Sequence, residues 1–370
     1  MKQYEYLAKQ ALASSGIAVP KGRVVTTAED AAQAVRDFGP VALKAQVLVG
    51  GRGKAGGIRF AATPEEAMQI AQQMYGMLLK GLRVETLYAE AQLAIERELY
   101  VSVTTDRNQK RPMIMASAAG GVEIEDVSDD AIIQRTIDPR YGVFPYLGRE
   151  MAQDLGLTGT LAREFAQIVV KLYEVYRRYD AELVEINPLV VVDGHFVAAD
   201  ARLNIDDSAL FRQKNVTPID DGSVLERQVH ALGLAYVELD GDIAIMANGA
   251  GMAMATVDAI QFFGGSPANF LDAGGGASVE PTAHALAVLV SMKPKVIFIN
   301  IFGGITRCDD VARAILQVRH SPGIPVPLVV RLVGTNEQEG VPLLADAGIS
   351  AYSEIAPAAQ RAVPLAGEGQ

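Results

Sequence analysis

Lys44-Ala-Gln-Val-Leu-Val-Gly-Gly-Arg-Gly-Lys-Ala-Gly-Gly57 places two lysines, an arginine and five glycines directly on an apolar, strand-like run. Glycine lets backbone N–H groups face an anion with no Cβ in the way, and Lys44, Arg52 and Lys54 can bring positive charge to the same place. Two nucleotide motifs fail on inspection. Gly51-x-Gly53-x-x-Gly56 has the spacing of the dinucleotide fingerprint, but that fingerprint opens a helix, whereas Ile58-Arg-Phe-Ala61 resumes a strand. A P-loop needs glycine where Leu48 stands and serine or threonine where Ala55 stands. What remains is a glycine-rich hairpin suited to covering a triphosphate. A surface turn with solvated charges is the alternative while the stretch is considered alone.

Upstream, Tyr4–Ala13 reads as an amphipathic helix closed by Gly16, and Thr26-x-x-Glu29 as a capping box opening a helix over Ala28–Phe38. A strand over Val41–Val49 then delivers the glycine loop. Thr63-Pro-Glu-Glu66 predicts a helix running through Leu79. Strand-like runs follow at Glu85–Ile95, Glu98–Thr105 and Met113–Ala118, the last two joined by a polar turn, and a helix is expected over Leu161–Tyr179. Ala181–Val192, the turn Asp193-Gly194 and His195–Asp200 form a hairpin. Glu185, Asn187 and Asp200 are polar among residues that otherwise want burial. Carboxylate and amide oxygens on neighbouring strands are what Mg²⁺ accepts, with waters and substrate phosphate completing the shell. The alternative is a hairpin whose polar residues face water.

Asp206–Val224 is polar and is expected to link two domains, 1–222 and 223–370. Beyond it, short apolar runs at Asp242–Ala247, Ala268–Asp272, Lys295–Asn300, Pro327–Val333 and Ile349–Tyr352 alternate with helical patterns. Such alternation predicts a parallel sheet covered on both faces, with ligands beyond the carboxyl ends of its strands. Glycine is concentrated there, in Asn248-Gly-Ala-Gly251, Asp272-Ala-Gly-Gly-Gly-Ala-Ser278, Phe302-Gly-Gly-Ile-Thr306 and Gly334-Thr-Asn336. Four such loops on one edge predict a binding face.

With 370 residues, 49% of them hydrophobic, the chain can fill two or three cores. A net charge of −11 argues against nonspecific nucleic-acid binding. The single Cys308 rules out an internal disulfide or a cysteine metal cage. The absence of a long apolar run and of a signal-peptide pattern predicts a soluble, cytoplasmic protein with no membrane contact.

Over essentially its whole length the sequence resembles the β subunit of succinyl-CoA synthetase, the ADP-forming succinate–CoA ligase family. The motifs that carry the resemblance are Gly50–Gly57, Glu98-Leu-Tyr100, Gly120–Glu125, Glu185-Ile-Asn-Pro-Leu-Val190, Ala209–Arg212, Asn248–Gly251, Pro267–Asp272 and Asn300–Asp309. It implies an α/β protein with an N-terminal ATP-grasp domain and a flavodoxin-like, doubly wound CoA-ligase domain. By position, Lys44, Gly51, Arg52, Gly53, Glu90, Leu93 and Glu98 would hold ATP or ADP, and Asn187 and Asp200 would hold Mg²⁺. Glu185 resembles the acid that contacts the phosphohistidine. Asn248, Gly304, Ile305 and Thr306 would contact the dicarboxylate. The family's reaction phosphorylates a histidine, passes the phosphoryl group to the acid, and lets CoA displace phosphate.

That histidine is missing from this chain's pattern: His195 sits on a strand, and His230, His284 and His320 fall in or at the ends of helical patterns. An α subunit carrying it is therefore the implied partner, in an αβ or α2β2 assembly, and it would also supply most of the CoA site. Gly274, Gly275, Gly276, Ala277 and Ser278 open a helix whose N-terminus would suit the phosphorylated side chain; a purely structural βα turn is the alternative. Leu48 replaces a histidine common in relatives, and Asp200-Ala-Arg202 replaces Asp-Gly-Lys. Pro20 matches ATP-using relatives. Thr306 stands where other relatives have valine or, in malate-specific ones, asparagine, which keeps a malate–CoA ligase open beside succinate. A non-catalytic nucleotide-binding subunit is the reading from another class.

Overall fold

The computed structural model describes residues 1–219, 222–276 and 278–367, in two compact units, Met1–Asp221 and Gly222–Gln370. The first unit contains two larger sheets. One is antiparallel and four-stranded, in the order Gly22–Val25, Leu87–Ala91, Val41–Ala45, Ile58–Ala61. Helices Ala28–Phe38 and Pro64–Met74 cover it through Ala31, Val35, Ala67 and Ala71. The first helix is capped one residue later than the sequence pattern suggests, by Thr27 and Asp30, because Thr27 holds the extended backbone an N-cap requires. Thr63 and Glu66 make the expected box on the second.

That second helix stops at Met74 instead of Leu79. Gly76 takes a positive φ, and Leu78–Leu79 turn back onto Leu82–Arg83 about Lys80 and Gly81, both left-handed. The strand before the glycine loop is also shorter, ending at Ala45, where Gln46 N–H bonds Thr86 O and the chain leaves the sheet.

The other sheet runs His195–Ala198, Ala181–Val192, Arg97–Asp106, Arg111–Ser117, Ile132–Thr136, with Arg202–Ile205 also paired to Ala181–Val192. Helices Glu5–Ser14, Pro145–Asp154 and Gly159–Arg178 pack on it through Leu12, Met151, Phe165 and Leu172. Asp193 and Gly194 both have positive φ, as a two-residue hairpin turn requires. The pairing of Ala181–Val192 with Arg97–Asp106 shifts register between Ile186 and Leu189. Pro188 has no N–H to give the ladder, and the bulge re-aims Asn187 out of the sheet.

The second unit's sheet has the order Ala235–Glu238, Asn269–Asp272, Ile243–Ala247, Val296–Gly303, Leu328–Gly334, Ala351–Tyr352. Numbered among themselves, the five parallel strands follow the flavodoxin order 2-1-3-4-5. The sixth, Ala235–Glu238, is antiparallel and corrects the expectation of a wholly parallel sheet. It is an edge strand with only Tyr236 buried, so it lacks the continuous apolar run that marks the others. Alternate residues feed two cores. Ala244, Met246, Ile297 and Ile299 meet Leu286, Val311 and Ile315 on one face, while Ile243, Ile245 and Phe298 meet Ile260, Ala358 and Ala362 on the other.

Candidate functional site

In the first unit, a cleft of about 1040 Å³ is lined by Gly50–Ala55 of the glycine loop, by Gly121–Glu125, and by Glu185, Asn187, Asp200 and Arg202. The loop turns back through Gly57 N–H to Arg52 O (2.8 Å) and Ala45 N–H to Gly57 O (2.8 Å), which makes it the expected hairpin. Gly121 approaches so closely that an added Cβ would lie 2.2 Å from Glu98 Oε2, which seats the Glu98 carboxylate against the cleft wall. Asn187 fixes the same segment: its Oδ1 accepts from Gly121 N–H and its Nδ2 donates to Val122 O, both at 2.8 Å.

Beneath the loop lies a buried ion cluster. Lys44 donates to Glu5 Oε1 (3.0 Å) and Ala199 O (2.7 Å) and pairs with Glu90. Lys9 pairs with Glu5 (2.8 Å) and Glu90 and donates to Ala199 O (2.7 Å). Arg52 reaches Glu5 Oε2 at 2.9 Å and grips both oxygens of Asp200 at 3.0 and 3.1 Å. Burial alone would raise the Glu5 carboxyl, but Lys44, Lys9 and Arg52 hold it well below the usual carboxylate range. Glu185 is different. Burial raises its carboxyl, opposed by Arg202 at 3.7 Å and by the hydrogen bond from Tyr100 OH at 3.2 Å.

In the second unit, the glycine loops at the carboxyl ends of the strands are hydrogen-bonded into one surface. The Asn248 side chain brackets Phe302, donating to its O and accepting from its N–H, each at 2.8 Å. Thr306 Oγ1 accepts from Gly276 N–H (3.1 Å) and Asn248 Nδ2 (3.3 Å). Asp272 Oδ1 accepts from Gly249 and Gly274 N–H at 2.6 and 2.7 Å. Thr335 joins the last loop through N–H to Gly303 O (2.7 Å) and Oγ1 to Gly304 O (2.8 Å). Gly334, with φ +114°, lies so near Gly303 that a Cβ would stand 2.2 Å from its carbonyl oxygen.

The ATP-grasp domain family matches residues 2–191 and the CoA-ligase family residues 246–365. The succinate–CoA ligase [ADP-forming] β subunit of Herpetosiphon aurantiacus is 47% identical over 99% of this chain and 100% of its own. Those of Chloroflexus aurantiacus and Rubrobacter xylanophilus are 47% and 45% identical over 99% and 100% of this chain, and over 99% and 100% of their own. This chain belongs to the ADP-forming succinate–CoA ligase β-subunit family. An ATP citrate lyase from Methanothrix soehngenii, solved with citrate and CoA, superposes with a TM-score of 0.72 over 99% of both chains at 20% identity, a likeness of fold.

Within that family frame, the structure brings together Gly51, Arg52, Gly53, Glu185, Asn187 and Asp200 on one cleft. Lys44 and Glu90 lie in the ion cluster and do not line the cleft, Glu98 is half-buried against Gly121 of the cleft wall, and Leu93 is half-buried and not among the lining residues. Asn248 and Thr306 meet directly, and Ile305, 83% exposed, stands at the surface between them and solvent. Gly274, Gly275, Gly276 and Ser278 precede the 13-residue helix Val279–Ser291; Ala277 lies outside the described residues. Sequence reasoning missed Glu5 and Lys9. Their signal was an i, i+4 pair of opposite charges on the same helix face as Ala8 and Leu12, the face that is buried. Among the described residues, no helix is long and apolar enough to cross a membrane.

Replacing Lys9 with methionine removes a cation from Glu5 and Glu90 where both carboxylates are buried. We expect the first unit to lose about 3–5 kcal/mol, the usual cost of breaking a buried ion pair, measured by urea unfolding. A loss within error would mean that water or Lys44 alone satisfies the two acids.

Proposed function

We propose that this chain, with an α-type subunit, interconverts succinate, CoA and ATP with succinyl-CoA, ADP and phosphate. The observation that carries the reading is a division of chemistry. The first unit has a cleft of about 1040 Å³ with oxygen donors, the second has a preorganised loop surface, and among the described residues no histidine lines either. His195 pairs with Glu164 on the surface, His230 faces Tyr236 O, and His284 and His320 lie on helices. A phosphorylated histidine from a partner would carry the phosphoryl group from ATP, releasing ADP, to a succinate carboxylate oxygen. CoA, bound mainly by the partner, would then displace phosphate to form the thioester.

Asn187 and Asp200 suit Mg²⁺. Both are hard oxygen donors on the cleft wall; the Asp200 oxygens are paired with Arg52, and the Asn187 carbonyl accepts one hydrogen bond, from Gly121, which leaves it a lone pair. Among the described residues no group of three or more His, Cys, Asp or Glu side chains is placed to hold a metal, so the remaining ligands would be water and phosphate. When bound, the ion would neutralise phosphate charge. Glu185 would accept the imidazole N–H of the incoming phosphohistidine and fix its ring. The glycine loop, with its own Arg52 and with Lys44 beneath it, would hold the phosphates, and Glu90, Leu93 and Glu98 the rest of the nucleotide. Pro20 supports adenine over guanine. Gly274–Ser278 would receive the same histidine at a helix N-terminus.

Between succinate and malate, Thr306 favours succinate. Thr306 is 2% exposed, and its Oγ1 accepts from Asn248 and Gly276; burial, with both lone pairs taken by its own loops, makes it an organiser of those loops in place of a reader of a substrate hydroxyl. Thr306→Val should therefore lower turnover of succinate and malate by similar factors, by the ~1–3 kcal/mol of unpaired donors. A selective loss of malate use would restore the hydroxyl-reading role.

Purified chain incubated with γ-labelled ATP and Mg²⁺ should acquire no stable label, whereas addition of the α-type subunit should label that subunit's histidine. Stable label on a histidine of this chain alone would overturn the assignment.

Glu185 accepts an N–H most strongly as the carboxylate, and burial already lifts its carboxyl. Removing the opposing cation by Arg202→Met should lift it further, so the acid limb of the phosphorylation rate moves to higher pH. The stability sign is opposite: a carboxyl raised on folding makes the native state less favoured as pH rises through its range. An acid limb that stays put would exclude Glu185 as the group that titrates.

A further inference from the structure

The Arg52 guanidinium is held on three sides. Its Nη2 faces both Asp200 oxygens, and its Nη1 faces Glu5 Oε2 at 2.9 Å and Ala45 O at 3.2 Å. Among the described residues, Asp200's other hydrogen-bond partner is the Ala201 N–H at 2.7 Å. Both side chains lie on the wall of the same cleft. The cluster behind them is neutral, with Glu5, Glu90 and Asp200 against Lys9, Lys44 and Arg52. Asp200 is thus a carboxylate whose two oxygens are already covered by a cation that belongs to the phosphate-binding loop.

We propose that Arg52 is an internal counter-ion that makes entry of the metal and of the nucleotide interdependent. This rests on the reading of Asp200 as a metal ligand. A divalent cation arriving alone must take Asp200 from a guanidinium whose one other ion-pair partner among the described residues is Glu5, which it already holds. A nucleotide arriving alone must draw Arg52 from Asp200 and leave that carboxylate half-buried with its paired charge gone. When both arrive, the exchange balances. Phosphate oxygens offer the guanidinium the same two-pronged geometry that the carboxylate gave, and Asp200 turns its oxygens to the metal. Glu5 is a positioning residue in this scheme, since it keeps one edge of Arg52 anchored while the other changes partner. Coupling of this kind is reciprocal, so each ligand strengthens binding of the other.

The test uses the complex of this chain with its α-type subunit and Mn²⁺ as the metal probe, with free Mn²⁺ read by electron paramagnetic resonance and no nucleotide present. Arg52→Met should bind Mn²⁺ alone at least about 5-fold more tightly than the wild type, the low end of the coupling seen between linked sites. The same variant should bind ADP more weakly in the absence of metal. Arg52→Lys, which keeps the charge without the fork, should fall between and serves if the methionine variant does not fold. In Arg52→Met/Asp200→Asn the gain in Mn²⁺ affinity should vanish. Unchanged or weaker Mn²⁺ binding by both single variants overturns the proposal, as does a gain that survives in the double variant. Failure of the underlying metal assignment is distinguishable: Asp200→Asn alone would then bind Mn²⁺ with ADP as the wild type does.

Discussion

Three carboxylates and three cations share one buried site beneath the glycine loop, and five separate segments of the first unit converge on it. Glu5 and Lys9 come from the first helix, Lys44 from a central strand, Glu90 from its neighbour, Arg52 from the loop, and Ala199–Asp200 from the end of the long hairpin. Each charge would be prohibitively costly in that environment by itself. The cluster is tolerable only because every ion has a partner of opposite sign, so the segments are bound to one relative arrangement. The position of the loop over the cleft follows from that arrangement.

The second unit solves a different problem. Parallel strands end in loops with no ladder to hold them, and here side-chain amides, hydroxyls and a carboxylate supply the order. Asn248 ties the first strand's end to Phe302, Asp272 collects two N–H groups, and Thr306 and Thr335 bind the loops on either side. These partners use most of the polar groups that sequence inspection would assign to substrate. On these loops the Phe302 and Ile305 side chains are exposed, as are Gly304 and Thr335. In sheets of this kind ligands generally bind beyond the carboxyl ends of the strands, where these loops lie.

Local chemistry made much of the fold legible. Thr63-Pro-Glu-Glu66, the Asp193-Gly194 turn and the long strand Ala181–Val192 needed only neighbours in sequence, and the structure places them as read. Errors fell where distant partners decide. Met77–Leu79 continues a helical apolar pattern, yet Gly76 and the left-handed Lys80 and Gly81 fold it into a small hairpin that caps the glycine loop's side of the core. Ala235–Glu238 carries almost no burial signal because it is an edge strand, and the helix Pro145–Asp154 has no side-chain cap to announce it.

The sequence by itself determined the class of each domain, the glycine hairpin, and the oxygen-bearing set Glu185, Asn187 and Asp200, because periodicity, turn chemistry and motif spacing are local properties; the return strand ends at Ala198, so Asp200 stands in the connection beyond it and not on the strand as expected. Tertiary structure alone decided what those residues are bonded to. That Lys44 is committed to Glu5 and Glu90, that Arg52 covers Asp200, and that Thr306 serves its own loops depend on contacts between residues 30 to 148 positions apart. Charge pairing is set by proximity in space, and a linear pattern carries the charges without their partners.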